Sequence, residues 1–326
     1  MRSFPGMSSR AQPALAPASS VRIALALGAL YVVWGSTYLA IRIAVETIPP
    51  FTGSAVRFLI AGGLLYVATI RTGDAATDRP GRREWRDAAI IGGLLLAGGN
   101  GLLAVGEQTV PSGIAALIIA TLPLWVAVLG RLFFGVVLTR TIVVGTVIGF
   151  VGVAVLVWPT GGPGSLDPFG VAVVLLSPVF WATGSLFSRT AHVPRRPLVG
   201  TAMQMLAGSA VLFLLAVVTG DIFRVRLDEI TPASLAAIVY LILVGSLIGY
   251  TAYVWLLRVA PISLVATYAY VNPVIAVLLG WLILAEPLEP RTLVAGLIIV
   301  VAVAVIVRAR GGESRRAVPD EVGEPG

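Results

Sequence analysis

The sequence predicts an all-α integral membrane protein in which ten transmembrane helices form two inverted five-helix repeats around a central cavity. Three observations support this fold. Of the 326 residues, 57% are hydrophobic and 12% are charged, with a mean hydropathy of +0.95, whereas soluble domains carry about 25% charged residues. Ten apolar runs are long enough to cross a bilayer as helices. The two halves of the chain also share a pattern of residues.

The first half starts with a polar tail and continues into five apolar spans. Residues 1–21 are rich in Pro, Ala and Ser and are predicted to be a disordered cytoplasmic tail. The first apolar run is too long for a cleaved signal peptide, so we keep it in the mature protein. It must be helical, like the others, because lipid offers the backbone no hydrogen-bond partner. The five spans, bounded by charged residues, prolines and glycines, cover residues 23–44, 52–70, 88–107, 111–130 and 141–158.

A short Gly/Pro-rich linker, residues 159–167, leads into the second half. Its five spans cover residues 168–188, 198–219, 234–256, 261–283 and 292–308, and residues 309–326 are predicted to form a second disordered cytoplasmic tail. The predicted repeats are therefore residues 22–158 and 168–308, each with five spans.

Arginine is distributed unequally between the two ends of the spans. Eighteen of the 23 arginines lie in the tails, at span ends beside them, or in the connections between spans two and three, four and five, six and seven, and eight and nine. We call this the arginine-rich face and the other the arginine-poor face, which holds only Arg224, Arg226 and Arg291. The positive-inside rule predicts that the arginine-rich face, with both termini, is cytoplasmic.

Shifting the chain against itself by 147 to 150 residues reveals the repeat. The matched positions are Trp34, Leu39, Arg42 and Ala44 with Trp181, Leu186, Arg189 and Ala191, and Pro111, Ala116, Pro123 and Gly130 with Pro261, Ala266, Pro273 and Gly280. Because each half has an odd number of spans, the second half must be inverted. An inverted repeat is typical of secondary transporters, whose substrate site lies where the halves meet, near the midplane.

Composition excludes several classes of chemistry. The chain has no lysine, no cysteine and one histidine, His192. It therefore lacks a P-loop lysine, a Schiff-base lysine, a thiol nucleophile and the ligands of a typical zinc site. We expect no cofactor, no metal and no enzymatic activity, since a membrane-embedded transferase would need paired aspartates or a histidine base near the spans. We also expect no nucleic-acid partner, because the arginines flank apolar spans instead of forming one patch.

Several short motifs occur in a characteristic order. They are Trp34-Gly35-Ser36-Thr37, Pro49-Pro50-Phe51, Arg57-Phe58, and Val110-Pro111-Ser112-Gly113-Ile114-Ala115-Ala116-Leu117 followed by Pro123. Over residues 22–308 the chain resembles the EamA family of the drug/metabolite transporter superfamily, and within it the YedA-type exporters. The resemblance implies two inverted halves around a cavity, a place in the bacterial inner (plasma) membrane, and export of small metabolites or drugs, without specifying which.

Arg57 and Glu107 are the charged residues of most interest. Arg57 falls roughly 8 Å below the arginine-poor surface at 1.5 Å per residue. Its planar guanidinium could bind a substrate carboxylate; the alternatives are an ion pair with Glu107 or snorkelling to the headgroups. Glu107 is the one carboxylate close to membrane depth and is a candidate for proton coupling. An uncoupled facilitator is an equal alternative.

Aromatic and polar side chains near the span centres suggest a binding cavity. The predicted substrate-binding residues are Trp34, Thr37, Tyr38, Arg57, Asn100, Trp181, Ser185, Gln204, Tyr250, Tyr253, Tyr268 and Asn272. Aromatic walls suit apolar or cationic groups. Ordinary helix packing and interhelical hydrogen bonding are the alternative explanation.

Three further features complete the predictions. Pro123 and Pro273 are expected to kink spans four and nine and to act as hinges. Gly145 and Gly149 allow close helix packing and would also permit a homodimer contact, while His192 is expected to be solvated.

We predict a transporter in the lipid bilayer that exports small amphipathic molecules, such as amino-acid-like compounds or drugs, by alternating access. A facilitator or channel, and less so a lipid or drug flippase, are the alternatives.

Overall fold

The computed structural model describes residues 19–71, 80–158 and 166–316, and within them the chain forms ten helices and no strand. They are α1 (Ser20–Ala44), α2 (Pro50–Arg71), α3 (Arg82–Gly106), α4 (Ser112–Phe134), α5 (Arg140–Val157), α6 (Pro168–Phe187), α7 (Pro197–Val218), α8 (Pro232–Tyr240, Leu241–Ile248 and Gly249–Val259 in succession), α9 (Ile262–Val265 and Tyr268–Leu284) and α10 (Pro290–Arg316). In the described part, nine of these helices are long and apolar enough to span a membrane, and Tyr268–Leu284 is shorter. The predicted all-α membrane fold is confirmed.

Some helix boundaries differ from the prediction. α3 begins at Arg82 instead of residue 88, because the polar segment before the apolar run carries a capping Glu84, whose carboxylate accepts from the Gly81 N–H at 2.6 Å. α10 continues to Arg316, past the expected end at residue 308. The remaining parts of the predicted tails and linker, residues 1–18, 159–165 and 317–326, lie outside the described residues.

Helix contacts follow the inverted repeat. The mates α2 and α7 pack against each other, as do the mates α5 and α10. The contact of α1 with α9 is repeated by that of α6 with α4, and the contact of α3 with α7 is repeated by that of α8 with α2. Each half therefore packs against the other in the same way, which generates a pseudo-twofold axis between them.

Small residues bring the helix backbones together at these contacts. A Cβ on Gly92 of α3 would lie 2.2 Å from the carbonyl oxygen of Gln204 on α7. Gly145 and Gly149 of α5 face Ile306 and Leu124 of the same chain. The glycines of α5 thus serve packing inside the protomer, and a homodimer stays a prediction.

Two helices are interrupted, but only one break lies beside the expected proline. α4 breaks at Ala120 and Thr121, just before Pro123, whose ring cannot accommodate a preceding helical carbonyl and which supplies no N–H. α9 breaks at Ala266 and Thr267, while Pro273 lies inside the following continuous segment. The kink and hinge at Pro273 therefore stay a prediction; at the observed break, the hydroxyl of Thr267 donates to Leu264 O at 2.5 Å.

The single histidine is not simply solvated. His192, in the connection from α6 to α7, has its backbone N–H and its ring Nδ1 each 2.8 Å from Oδ2 of Asp87 on α3. Asp87 is 1% exposed and also accepts from Arg86. His192 is exposed to solvent, as expected, with 53% of its side chain accessible, and it also joins the two halves at the arginine-rich face.

Candidate functional site: a cavity between the two halves

A cavity with about 660 Å³ of empty space, part of it continuous with solvent, lies between the two halves. Its walls come from α1, α2, α3, α4, α6, α8 and α9. The lining residues are Trp34, Thr37, Tyr38, Ile41, Arg57, Asn100, Leu103, Ile119, Leu122, Trp181, Gly245, Tyr250, Tyr268 and Asn272. Nine of the twelve side chains that the sequence nominated for substrate binding therefore surround one space.

The mated tryptophans occupy equivalent places in the two repeats. Trp181 lies against Gly99 of α3, where a Cβ would come within 2.7 Å of the indole ring. Trp34 lies against Gly249 of α8, where a Cβ would come within 2.5 Å of Nε1. Because Gly249 is the repeat mate of Gly99, both indoles are seated by the same arrangement of a glycine and a neighbouring helix. The cavity walls thus follow the repeat symmetry.

Trp34 of the first half is also the centre of an aromatic cluster whose other rings are tyrosines of the second half. Its ring centroid lies 5.6 Å from that of Tyr250, 5.1 Å from that of Tyr253 and 5.1 Å from that of Tyr268. The contacts with Tyr250 and Tyr268 are edge-on and that with Tyr253 is tilted, and such ring pairs contribute about 1 kcal/mol each beyond burial. Toward the arginine-rich face, the hydroxyls of Tyr31 and Thr267 are hydrogen-bonded to each other. This cluster packs α1, α8 and α9 together beneath the cavity.

Arg57 is the charged group of the cavity wall. It is 5% exposed, its Nε donates to Ser246 Oγ at 3.1 Å, and its Cζ lies 4.6 Å from the centroid of the Phe58 ring. The ion pairs found among the described residues do not include it. Neither an ion pair with Glu107 nor snorkelling to the headgroups describes this side chain, which leaves its terminal nitrogens to the cavity.

Two amides add polar groups to the same space. Asn100 lies in a π-helical segment of α3, Gly93–Gly101, and its Nδ2 donates to Leu95 O at 3.4 Å. Asn272 is buried, and its Oδ1 has no hydrogen-bond partner in the described structure. A buried carbonyl oxygen without a donor is costly unless a ligand or water supplies one. The cavity therefore presents both a cation and an unsatisfied acceptor.

Three nominated residues do not line the cavity. Tyr253 supports Trp34 from behind, and Gln204 packs at the α3–α7 contact through its backbone. Ser185 lies one turn beyond Trp181, toward the arginine-rich face. Conversely, the sequence analysis did not identify Ile41, Leu103, Ile119, Leu122 or Gly245, which line the cavity. Only Ile41 carried a signal, because it continues the helical spacing of Trp34, Thr37 and Tyr38.

A second, narrower cavity of about 270 Å³ adjoins the first and shares Ile41 and Arg57 with it. We call it the passage. Four of its residues, Pro50, Gly53, Ser54 and Arg57, form one stripe of α2. At Gly53, a Cβ would lie 2.9 Å from Ile48 Cγ2, so the missing side chain leaves room for the opposite wall.

A third space of about 550 Å³, which we call the vestibule, continues the passage toward the arginine-poor face. It shares Val45, Ile48, Pro49 and Pro50 with the passage and is otherwise lined by polar residues, namely Glu46, Thr47, Gln108, Asp221, Arg224 and Glu229. Three adjoining spaces therefore lead from that face to the centre, and Arg57 stands at the inner junction. Among the described residues, no group of three or more His, Asp or Glu could hold a metal ion.

This arrangement of two inverted halves around a central cavity matches a known family. The family model described as "EamA-like transporter family" matches residues 22–158 and again residues 168–308. The chain belongs to the EamA-like transporter family. As a member of it, the protein is a membrane transporter and not an enzyme.

Curated relatives agree with the family assignment. An Escherichia coli (strain K12) protein with the name "Uncharacterized inner membrane transporter YedA" is 41% identical over 283 residues, covering 86% of this chain and 89% of the relative. The Streptantibioticus cattleyicolor "Probable terminal-alkyne amino-acid exporter" is 28% identical, covering 88% of this chain and 93% of the relative. These EamA-like relatives span nearly the same length as this chain.

A solved crystal structure supports the fold. It is 22% identical to this chain and superposes with a TM-score of 0.59, covering 92% of this chain and 100% of that one. At this identity the likeness concerns the ten-helix EamA-like architecture alone.

Proposed function

We propose that this EamA-like protein exports small amphipathic molecules that carry a carboxylate, such as amino-acid-like metabolites or drugs, across the bacterial inner membrane by alternating access. The observation that carries this proposal is Arg57, a buried guanidinium at the junction of the cavity and the passage. Its fork geometry suits a carboxylate. The names of the Escherichia coli relative, an inner membrane transporter, and of the Streptantibioticus cattleyicolor relative, an amino-acid exporter, support the location and the substrate class.

The chemistry of the walls supports an amphipathic substrate. Trp34, Trp181 and the tyrosines offer aromatic faces to an apolar or cationic part of the molecule. The unpartnered Oδ1 of Asn272 offers an acceptor to an N–H group. With the arginine-rich face in the cytoplasm, as the positive-inside rule predicts, the passage and the vestibule lead outward.

The test compares an acid with its uncharged analogue. Purified protein is reconstituted in liposomes loaded with a mixture of amino acids and their amides, and release is measured for wild type, Arg57→Gln and Arg57→Lys. We expect Arg57→Gln, which installs the repeat-mate residue Gln204, to slow release of the acids about 10-fold or more, in line with loss of a charge-assisted hydrogen bond. Amide release should change little. Arg57→Lys should retain part of the acid flux.

Thr219→Ala serves as a control, since its exposed hydroxyl donates to Leu215 O at 2.7 Å at the end of α7 and lines neither the cavity nor the passage. A uniform loss of acid and amide flux in Arg57→Gln would contradict carboxylate recognition. To find the natural substrate, we would profile metabolites in the medium of cells that express wild type or Trp34→Ala/Arg57→Ala at matched membrane abundance. A compound that accumulates only with wild type is a candidate substrate.

A further inference from the structure

The arginine-poor end of α3 holds a buried carboxylate without hydrogen-bond donors. Glu107, the residue at which α3 ends, is 0% exposed, and neither of its carboxylate oxygens has a hydrogen-bond partner among the described residues. The hydroxyl of the nearby Ser112 is also buried without a partner. An ionised carboxylate in such a place is very unfavourable, and proteins avoid the cost by pairing it or by keeping it protonated.

A second carboxylate, that of Glu286, interacts electrostatically with Glu107, but each of its oxygens has a hydrogen-bond donor. Glu286 follows α9, and its two oxygens accept from the backbone N–H groups of Ser112 at 2.7 Å and Gly113 at 3.1 Å. These donors belong to the N-terminus of α4, where the helix dipole favours negative charge. We call this contact of Glu286 with α4 the Glu286 clasp. It joins the second half of the chain to the first.

The other groups around Glu107 offset its charge only in part, through the nearby guanidinium of Arg42. Arg42 of α1 donates its Nη1 to the main-chain oxygens of Glu107 at 2.9 Å and Gln108 at 3.1 Å, and not to the carboxylate. Tyr38, one turn earlier on α1, also lies within the field of Glu107. α6 packs Val174 and the backbone of Gly170 against Gly106, and its capping residue Asp167 accepts from the Thr109 hydroxyl at 2.9 Å, two residues from Glu107.

We propose that Glu107 is a proton-binding site and that the bound proton keeps the Glu286 clasp closed. When the O–H bond of the Glu107 carboxyl breaks, the proton passes to water in the vestibule, which Gln108 lines. The two carboxylates then repel each other, only one of them with donors, and this repulsion weakens the hold of Glu286 on α4. The role of this site in transport rests on the proposed function, whereas proton binding itself does not.

Proton binding can be tested without any substrate, by following thermal unfolding in detergent from about pH 5 to about pH 9. A group that holds a proton in the folded state and loses it in the unfolded state stabilises the fold fully below its unfolded-state transition, and this stabilisation is lost as pH rises to its folded-state transition. We expect the wild-type unfolding temperature to fall, relative to Glu107→Gln, by on the order of 2 °C per pH unit between these two transitions and to level off above the second. Glutamine mimics the protonated side chain, so this variant should fold.

Glu289→Gln is the matched control, since Glu289 lies on the same connection as Glu286 and is half exposed. It should keep the wild-type pH dependence. Parallel curves for wild type and Glu107→Gln would overturn the proposal.

The effect on the clasp can be measured by labelling, because the chain contains no cysteine. In a Thr37→Cys variant the new cysteine lies on the cavity wall. Its rate of labelling is measured at one alkaline pH with a membrane-impermeant maleimide added at the arginine-poor face. We expect Glu107→Gln to slow labelling several-fold and Glu286→Gln, which weakens the clasp, to accelerate it. Equal rates for Glu107→Gln and its parent would contradict control of the clasp.

The two proposals fail in different ways. A pH-dependent unfolding temperature that Glu107→Gln abolishes, together with no measurable flux of any acid, would leave the proton site standing and overturn the proposed export. Acid flux that depends on Arg57 but is identical in wild type and Glu107→Gln at every pH would identify an uncoupled facilitator and overturn the role of the proton site in transport.

Discussion

Each indole of the cavity is held in place by a glycine on a neighbouring helix, so the position of the ring depends on an absent side chain. Gly99 faces Trp181, and Gly249 faces Trp34. A methyl group at either glycine would overlap the ring, because real Cβ atoms do not approach within 3.0 Å of another heavy atom. The ring would have to move into the cavity.

Gly99→Ala should therefore impair transport with little loss of protein in the membrane. We expect flux in reconstituted liposomes to fall several-fold and the fluorescence of Trp181 to shift as its surroundings change. Gly63→Ala is the control, since no atom lies within 4 Å of a Cβ there, and its effect should be small. Equal flux in the two variants would show that Trp181 does not need its present position.

A second residue-scale prediction concerns two mated helix ends. Gly135 ends α4 with φ 64°, and its mate Ala285 ends α9 with φ 52°, a left-handed conformation that costs a residue with a Cβ about 1 kcal/mol. Ala285→Gly should stabilise the protein by about that amount and Gly135→Ala should destabilise it similarly. Unfolding temperatures in detergent measure both, and effects of the same sign would contradict the explanation.

The sequence could predict the cavity residues whose side chains are chemically unusual at membrane depth. Trp34, Asn100 and Arg57 are conspicuous there because a lipid-facing position would not suit them. Ile119 and Leu122 carried no such signal, since an apolar side chain fits a cavity wall, a helix contact and lipid equally well. Which apolar residues face the substrate depends on tertiary packing, which a single sequence does not specify.

At the scale of elements, acidic side chains hold the helix N-termini of the arginine-poor face. Asp167 accepts from the Gly170 N–H at 2.8 Å, the Thr109 hydroxyl at 2.9 Å and the Phe169 N–H at 3.4 Å, and so caps α6 while joining it to the α3–α4 connection. These hydrogen bonds lower the pKa of Asp167 below its ordinary value. Asp221 similarly accepts from the backbone and the side chain of Thr52 near the start of α2.

The lowered pKa of Asp167 predicts acid sensitivity. A carboxylate whose folded pKa is depressed stabilises the protein above its unfolded pKa and ceases to do so as pH falls through the folded pKa. Asp167→Asn should thus lower the unfolding temperature at neutral pH, and the difference from wild type should shrink toward acid. A difference that stays constant down to about pH 2 would exclude this cause.

The irregular segments of the helices were not predictable in the same way as the helices themselves. The ten spans follow from apolar length, but α3 and α8 each contain a π-helical segment, Gly93–Gly101 and Leu241–Ile248. Such segments often mark functional sites. The segment of α8 overlaps the repeat mate of the one in α3, so both follow the symmetry. Hydropathy does not reveal these segments, because a run of apolar residues has the same hydropathy whether its turns are α-helical or π-helical.

At the scale of the whole molecule, the inverted repeat relates the passage to a region at the arginine-rich face. Pro50, Gly53 and Ser54 of α2 have the mates Pro197, Gly200 and Thr201 of α7. In the present structure Ser54 lines the passage, while the region around Thr201 is held by the contact of α3 with α7 and by the clasp of Asp87 with His192. Alternating access in such proteins exchanges the arrangements of the two halves.

Cysteine labelling can follow this exchange. We expect Asp87→Asn, which weakens the hold on His192, to raise labelling of a cysteine at Thr201 from the arginine-rich face several-fold and to lower labelling of a cysteine at Ser54 from the other face. Arg83→Gln, an exposed change one turn earlier on α3, should alter neither. Simultaneous increases at both positions would indicate loosening of the fold instead of exchange.

The Glu286 clasp has no counterpart in the other repeat, because the mate of Glu286 is Val136. The backbone at the two positions is the same: each N–H donates to the carbonyl six residues earlier, Gly280 or Gly130, at 3.1 Å. A protein made of two identical inverted halves would populate its outward-facing and inward-facing forms equally, since the two forms would have the same free energy. A carboxylate present in one half alone removes this degeneracy, and a difference of 1.4 kcal/mol already makes one form about tenfold more abundant than the other. In the proposed alternating-access cycle, the resting orientation of the transporter therefore depends on the contacts that only one of its two repeats makes.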